Sequence, residues 1–256
     1  MLINNFDPVA LSIFSFEIRW YSLSYIFGII FGWLYCVRFL IKEEYIKSIF
    51  ENFISSLIIG IIVGGRLGYV IFYNLSFYIN NPLEIFKIWN GGMSFHGAVI
   101  GIIIASIYFS NKAKINKYIL LDLISVSAPI GIFLGRISNY INSELYGKTT
   151  NFIFSVKFLK IDNLNRHPSQ LYEAFFEGIV LLIILSFTYK KFKKQPGKSS
   201  SIFLIGYSFF RFFIEFIREP DEQLGYLALN LTMGQILSVA FLIFGVFLFF
   251  RKNESV

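Results

Sequence analysis

Apolar runs alternate with short polar stretches along the whole chain, and seven of the runs stand out: 20–40, 52–73, 94–110, 118–141, 170–189, 201–217 and 232–250. Each approaches the roughly 20 residues, about 17 at the least, that a helix needs to cross a bilayer. The 94–110 and 201–217 runs are short and carry polar residues. The pattern predicts an all-α membrane protein, a polytopic bundle of about seven transmembrane helices forming a single transmembrane domain over 1–256. The longest connector, 142–169, leaves no room for a soluble domain. Asp7 and Glu17 precede the first run, with no basic leader before it and no small-x-small site after it. That run is therefore expected to be a retained helix rather than a signal peptide.

Glycines recur four residues apart inside these runs: Gly28/Gly32, Gly60/Gly64/Gly68, Gly97/Gly101 and Gly131/Gly135. Small residues one turn apart let helix backbones approach closely in lipid. Neither a fixed-period repeat nor an inverted one accompanies them.

Composition agrees with the pattern. The chain is 55% hydrophobic and 15% charged, with 32 Phe, whereas a soluble domain carries about a quarter charged residues. The net charge of +7 comes from basic residues in the connectors. That placement suits anionic headgroups rather than nucleic acid, and no nucleic-acid motif is present. An outside N-terminus puts twelve Lys and Arg residues in the inner connectors and seven in the outer ones. The positive-inside rule then places the C-terminus in the cytoplasm and the 142–169 connector outside. Cys36 is the only cysteine, so no intrachain disulfide forms. With two histidines beside it, no metal site is expected.

Charges inside the runs carry the chemistry. An ionised side chain at the bilayer centre costs about 2.5–3.5 kcal/mol on insertion scales, so such residues face the protein interior or water. Tyr207, Arg211, Glu215 and Arg218 fall on one helical stripe, with Phe and Ile on the other face. Arg211 and Glu215 could simply neutralise each other at i,i+4. Arg136 and Asn139 share a face near the end of the fourth run, where Arg136 could also snorkel. His96 opens the third run after Gly91-Gly92, and imidazole is the side chain that exchanges a proton near neutral pH. Gly64-Gly65-Arg66 and Arg166-His167-Pro168-Ser169-Gln170-Leu171-Tyr172-Glu173 are lesser signals. Glu173 and Glu177 begin a helix, where its dipole favours negative charge. Two arginines and a histidine in a helical bundle suit an anionic lipid, because guanidinium forks match phosphate oxygens. These residues alone leave open whether the lipid is moved or reacted.

The motifs resemble one family, the bacterial prolipoprotein diacylglyceryl transferases. They are Phe6-Asp7-Pro8, Arg19-Trp20-Tyr21, Gly64-Gly65-Arg66-Leu67-Gly68-Tyr69, Gly91 through Gly97, Gly135 through Gly147, Arg166 through Glu173, and Arg211 through Asp221, in the family's order. The resemblance implies an enzyme of the bacterial inner membrane. Its partners would be the bilayer, phosphatidylglycerol, and a preprolipoprotein whose signal peptide carries a lipobox cysteine. It would move the diacylglyceryl group onto that thiol as a thioether and release glycerol phosphate, the first step of lipoprotein maturation, with no cofactor. His96, Arg136, Arg211 and Tyr21 are the catalytic positions it implies. Those for phosphatidylglycerol are Arg136, Asn139, Glu144, Gly147, Tyr207, Arg211 and Glu215. The connector after Gly147 is short for the family, which bears on preprotein docking. A rival class, a transporter of anionic lipids, would use the same arginines but calls for inverted repeats and two-sided access.

Overall fold

A computed structural model describes residues 2–14, 16–220 and 225–251. Three short strands, β1 (Leu2–Asn4), β2 (Val9–Ile13) and β3 (Phe16–Arg19), lead into helix α1 (Trp20–Tyr35), which continues as a π-helical turn over Cys36–Leu40. Then follow α2 (Glu44–Tyr73), α3 (Leu75–Asn80), α4 (Phe95–Ala113) and α5 (Lys117–Asn142). The 142–169 connector holds β4 (Val156–Phe158) and β5 (Asn165–Arg166). Helix α6 (Ser169–Glu173) runs through a π segment, Ala174–Val180, into α7 (Leu181–Phe192). Helices α8 (Lys198–Ile214) and α9 (Met233–Phe250) complete the order.

Among the described residues, five helices are long and apolar enough to cross a membrane: Trp20–Leu40, Glu44–Tyr73, Lys117–Asn142, Ser169–Phe192 and Met233–Phe250. Helices α4 and α8 occupy the two remaining apolar runs and are not among these five. At 17 residues, with Arg211 in its last turn, α8 is short. Helix α2 starts at Glu44 rather than at 52: residues 44–51 mix Glu44, Lys47, Ser48 and Glu51 with Tyr45, Ile46, Ile49 and Phe50 and continue the helix toward its N-terminus. Helix α8 stops at Ile214, and residues 215–217 turn out of it.

The described chain divides into two compact units. One holds Met1–Cys36 with Asp122–Ser255, the other Val37–Leu121. In the second, α2 packs on α4 through glycine. A Cβ at Gly64 would stand 2.4 Å from the Gly97 oxygen, and one at Gly101 would stand 1.9 Å from the Gly60 oxygen. Backbone, not a movable side chain, blocks the space. Gly101→Ala is therefore expected to force the two helices apart and destabilise this unit by at least the roughly 1–3 kcal/mol of an overpacked core. A lowered unfolding temperature for the purified protein checks this; an unchanged one contradicts the close packing.

In the first unit, a Cβ at Gly28 of α1 would lie 3.0 Å from Gly131 Cα of α5. Gly135 has open space around its Cβ position, so it makes no such approach. Cys36 is fully buried with its thiol 3.4 Å from the Leu123 carbonyl. Strand β1 pairs in parallel with β4, Leu2 opposite Val156, and β4 pairs antiparallel with β5. Buried Asn4 ties this sheet to the end of α5: its side-chain amide donates to the Tyr140 carbonyl at 2.6 Å and its amide oxygen accepts from Ser143 Oγ at 3.2 Å.

Candidate active site

The first unit brings six charged side chains together from three segments. Arg136 projects from α5, Glu173 and Glu177 from α6 and its π segment, Arg211 from α8, and Glu215 and Arg218 from the turn that follows. Arg136 Nη1 lies 3.2 Å from Glu173 Oε2, and its Nη2 donates to Glu177 Oε2 at 3.1 Å. Arg211 Nη1 donates to Glu173 Oε1, and its Nη2 stands 3.0 Å from Glu215 Oε2. Arg218 reaches the same Glu215 oxygen at 3.4 Å. Three guanidinium and three carboxylate groups balance, which is the condition under which charges tolerate a low-dielectric site. The hydroxyl of Tyr207, one turn before Arg211, interacts with Arg136.

Access is unequal. The side chains of Glu173 and Glu177 are 0% exposed, whereas Arg136 keeps 14% and Arg211 11%. A ligand can touch the arginines while the carboxylates hold them from behind. The π segment begins one residue after Glu173 and contains Glu177. Single π turns inside α-helices occur often at functional sites, because they re-aim side chains. Gly234, near the start of α9, lets Glu215 approach: a Cβ there would lie 2.8 Å from its carboxylate carbon.

A second polar group joins α1 to the end of α5. Asn139 donates to the Tyr21 hydroxyl at 3.2 Å and to Glu144 Oε2 at 3.3 Å. Glu144 also accepts from Asn142 at 3.3 Å. Ser143 and Leu145 both adopt positive φ, 60° and 55°, a strained conformation that persists only where surroundings enforce it. They are enforced here: the carbonyls of Glu144 and Leu145 accept from Gln170 at 2.5 Å and Ser169 at 2.8 Å. Gly147 follows two residues after Leu145, and a Cβ on it would meet the His167 oxygen at 2.5 Å and the Ile217 oxygen at 2.8 Å. It bridges to Arg218, so the turn after α5 is stitched to the turn after α8.

Arg166 locks the connector beside this stitch. It donates to Asp162 at 2.6 Å, to Glu219 at 3.1 Å and to the Gly147 carbonyl at 3.2 Å, and lies over the Tyr146 ring at 4.7 Å. The Arg166 hydrogen bond holds the Asp162 carboxyl below its ordinary 3.8, and burial holds His167 below its ordinary 6.5. The signs follow by linkage. A lowered carboxylate contributes stability that is present above pH 3.8 and lost as pH falls through its folded value. For His167 the unfolded state takes protons first, so stability declines as pH drops below 6.5. Hydrogen exchange over residues 147–167, corrected for intrinsic rate, is expected to quicken in two stages on acidification. His167→Gln should remove the upper stage and Asp162→Asn the lower one; a pH-independent profile contradicts this assignment.

An open apolar groove of about 600 Å³ lies on the phenylalanine face of α8, lined by His167, Tyr172, Phe176, Phe209, Phe210 and Phe213. The His167 and Tyr172 side chains meet there at 3.4 Å.

The sequence profile of the prolipoprotein diacylglyceryl transferases matches residues 8–251. The chain belongs to that family. Among its relatives, the phosphatidylglycerol--prolipoprotein diacylglyceryl transferase of Rickettsia typhi is 53% identical over 260 residues, covering 100% of both chains. The enzyme of the same name from Rickettsia felis is 50% identical over 259 residues, again over the full length of both. That of Ehrlichia ruminantium is 49% identical over 246 residues, 94% of this chain and 95% of its own. The transferase resemblance read from the motifs thus holds along nearly the whole chain.

Within this family frame, the structure gathers Arg136, Arg211, Glu215 and Tyr207 in one cluster, and Tyr21, Asn139, Glu144 and Gly147 in the group at the end of α5. His96 lies in the other unit, exposed at the second position of α4. Helix-dipole stabilisation, the role read for Glu173 and Glu177, is not their main interaction: both sit on arginines. Arg136 does not snorkel, being held from behind by those two carboxylates. The signal for them was present, since two carboxylates one turn apart inside an apolar run need counter-ions.

Proposed function

We propose that this multi-pass membrane protein transfers the diacylglyceryl group of phosphatidylglycerol to the thiol of a lipobox cysteine in a preprolipoprotein. The observation that supports this most is the pair of partly exposed arginines backed by fully buried glutamates. A phosphodiester meets the open edges of Arg136 and Arg211, which are already oriented and need no reorganisation when charge develops. Glu173, Glu177 and Glu215 fix the two guanidinium planes. Asn139, Glu144 and Tyr21 bind the headgroup polar atoms, Gly147 sets the turn above them, and Tyr207 supports Arg136. One acyl chain lies along the apolar groove beside α8.

The cysteine sulfur attacks the glyceryl carbon that carries the phosphate oxygen. A C–S bond forms, the C–O bond breaks, and glycerol phosphate leaves with the electron pair, its charge held by the arginines. The thiol proton passes to His96, since the thiolate is the nucleophile. Incubating the purified protein with phosphatidylglycerol and a lipobox peptide should yield a peptide heavier by one diacylglyceryl group. Recovery of only unmodified peptide overturns this reading.

Seven spans, the five long helices together with α4 and α8, put the N-terminus outside and the C-terminus in the cytoplasm of the bacterial inner membrane. Reporter fusions after 112–117 and after 190–198 should both report cytoplasm. Either fusion reporting the outer side contradicts the map.

A further inference from the structure

Arg66 lies in the last third of α2, 4% exposed, with no carboxylate partner among the described residues. All five of its N–H donors go to backbone carbonyls. Nε donates to Ile85 at 2.8 Å, Nη1 to Gly91 at 2.5 Å and Gly92 at 3.1 Å, and Nη2 to Glu84 at 2.6 Å and Lys87 at 3.3 Å. The guanidinium also lies 5.2 Å from the centre of the buried Tyr78 ring. Every acceptor belongs to the segment 84–92, which is otherwise short 3₁₀ turns and loop. A guanidinium with all its donors used is a scaffold for this segment and has none to spare for a ligand.

What the segment leads to gives the scaffold its purpose. Gly91 and Gly92 adopt φ of 80° and 81°, a conformation open to glycine at little cost. Two residues on, the Ser94 N–H donates to the Gly65 carbonyl at 2.8 Å, beside Arg66 in sequence. The Ser94 hydroxyl then accepts from the Gly97 N–H at 3.2 Å and caps α4. His96 stands between Ser94 and Gly97. Its backbone position is therefore fixed from both sides, by the carbonyl cage through Gly91–Gly92 and by the cap through Gly65.

We infer that Arg66 is a positioning residue for His96, aiming the imidazole by clamping the loop that starts α4. This inference rests on the reading of His96 as the group that takes the thiol proton. Lysine at 66 keeps the charge but offers three donors on a single tetrahedral nitrogen, so it cannot satisfy five carbonyls spread around a plane.

A double-mutant cycle separates positioning from mere fold support, because two residues acting on one step have non-additive effects. Transfer from phosphatidylglycerol to a lipobox peptide would be measured for wild type, Arg66→Lys, His96→Gln and the double variant. Arg66→Lys is expected to lower kcat by about 10²-fold, the order of loss that a misplacement of about 1 Å produces. In the His96→Gln background the same change should cost less than about threefold. Gly92→Ala disturbs the cage from the loop side: its Cβ would stand 2.6 Å from the Tyr69 ring and 2.9 Å from Arg66 Nη1. It should give the same non-additivity, and it carries the cycle if Arg66→Lys fails to fold. Wild-type rates in Arg66→Lys, or equal fold losses in both backgrounds, overturn the role given to Arg66 alone. If His96→Gln itself runs at the wild-type rate, the base reading falls and this inference falls with it.

Discussion

Arg136→Lys and Arg211→Lys are each expected to lose about 10²–10³-fold in kcat while the protein still folds, the usual weight of one charge-stabilising donor at a reacting centre. Both changes retain a positive charge against the buried carboxylates, so neither leaves an uncompensated ion inside the protein. The alanine variants are less informative for that reason: removing one partner of a buried pair costs about 3–5 kcal/mol. Arg136 uses its guanidinium edges on Glu173 and Glu177, and Arg211 on Glu173 and Glu215. An ammonium can serve such a carboxylate or a phosphate oxygen, but not a flat two-sided bridge between them. Glu215→Gln should cost less than Arg211→Ala, since Glu173 still holds Arg211. Steady-state transfer rates, with circular dichroism as the folding control, decide the matter. Near wild-type rates in both lysine variants exclude a forked grip on the phosphate.

The second large effect is at His96. His96→Gln keeps hydrogen-bonding capacity but cannot accept a proton, so transfer should fall by about 10²–10⁴-fold at neutral pH. The deficit should shrink as pH rises past about 8.5, where a free thiol ionises unaided. A residue that only orients substrate gives a deficit constant with pH and a larger change in lipid affinity. Rates for both proteins from about pH 6 to 9.5 with one lipobox peptide separate the two patterns. A constant ratio would falsify the base assignment and leave the transfer reaction itself in place.

The helices were legible because a bilayer imposes a length that a run of apolar residues displays directly. Trp20–Leu40 and Met233–Phe250 show this at nearly the predicted boundaries. Helix α2 began early because Glu44, Lys47, Ser48 and Glu51 interrupt the apolar run without breaking the helix, and hydropathy alone reads such a charged turn as a connector. The sheet was hidden for a different reason. Leu2 pairs with Val156, and strands this short owe their existence to a partner far away in the chain rather than to any local alternation. Arg211 and Glu215 announced their pairing by spacing alone, on one helix face. The partnership of Arg136 with Glu173 and Glu177 joins α5 to α6, and only the packed fold could supply it. Arg66 drew notice as a buried charge in Gly64-Gly65-Arg66, but its carbonyl cage depends on loop conformation that no motif encodes.

In the proposed mechanism Arg136 and Arg211, held by buried glutamates, receive the phosphate of the lipid. Determining the structure with phosphatidylglycerol bound tests it most directly. Phosphate oxygens are expected about 2.7–2.9 Å from nitrogens of both guanidinium groups, the spacing of charge-assisted hydrogen bonds. A bound phosphate remote from both arginines, with each still engaged only by Glu173, Glu177 and Glu215, would contradict it.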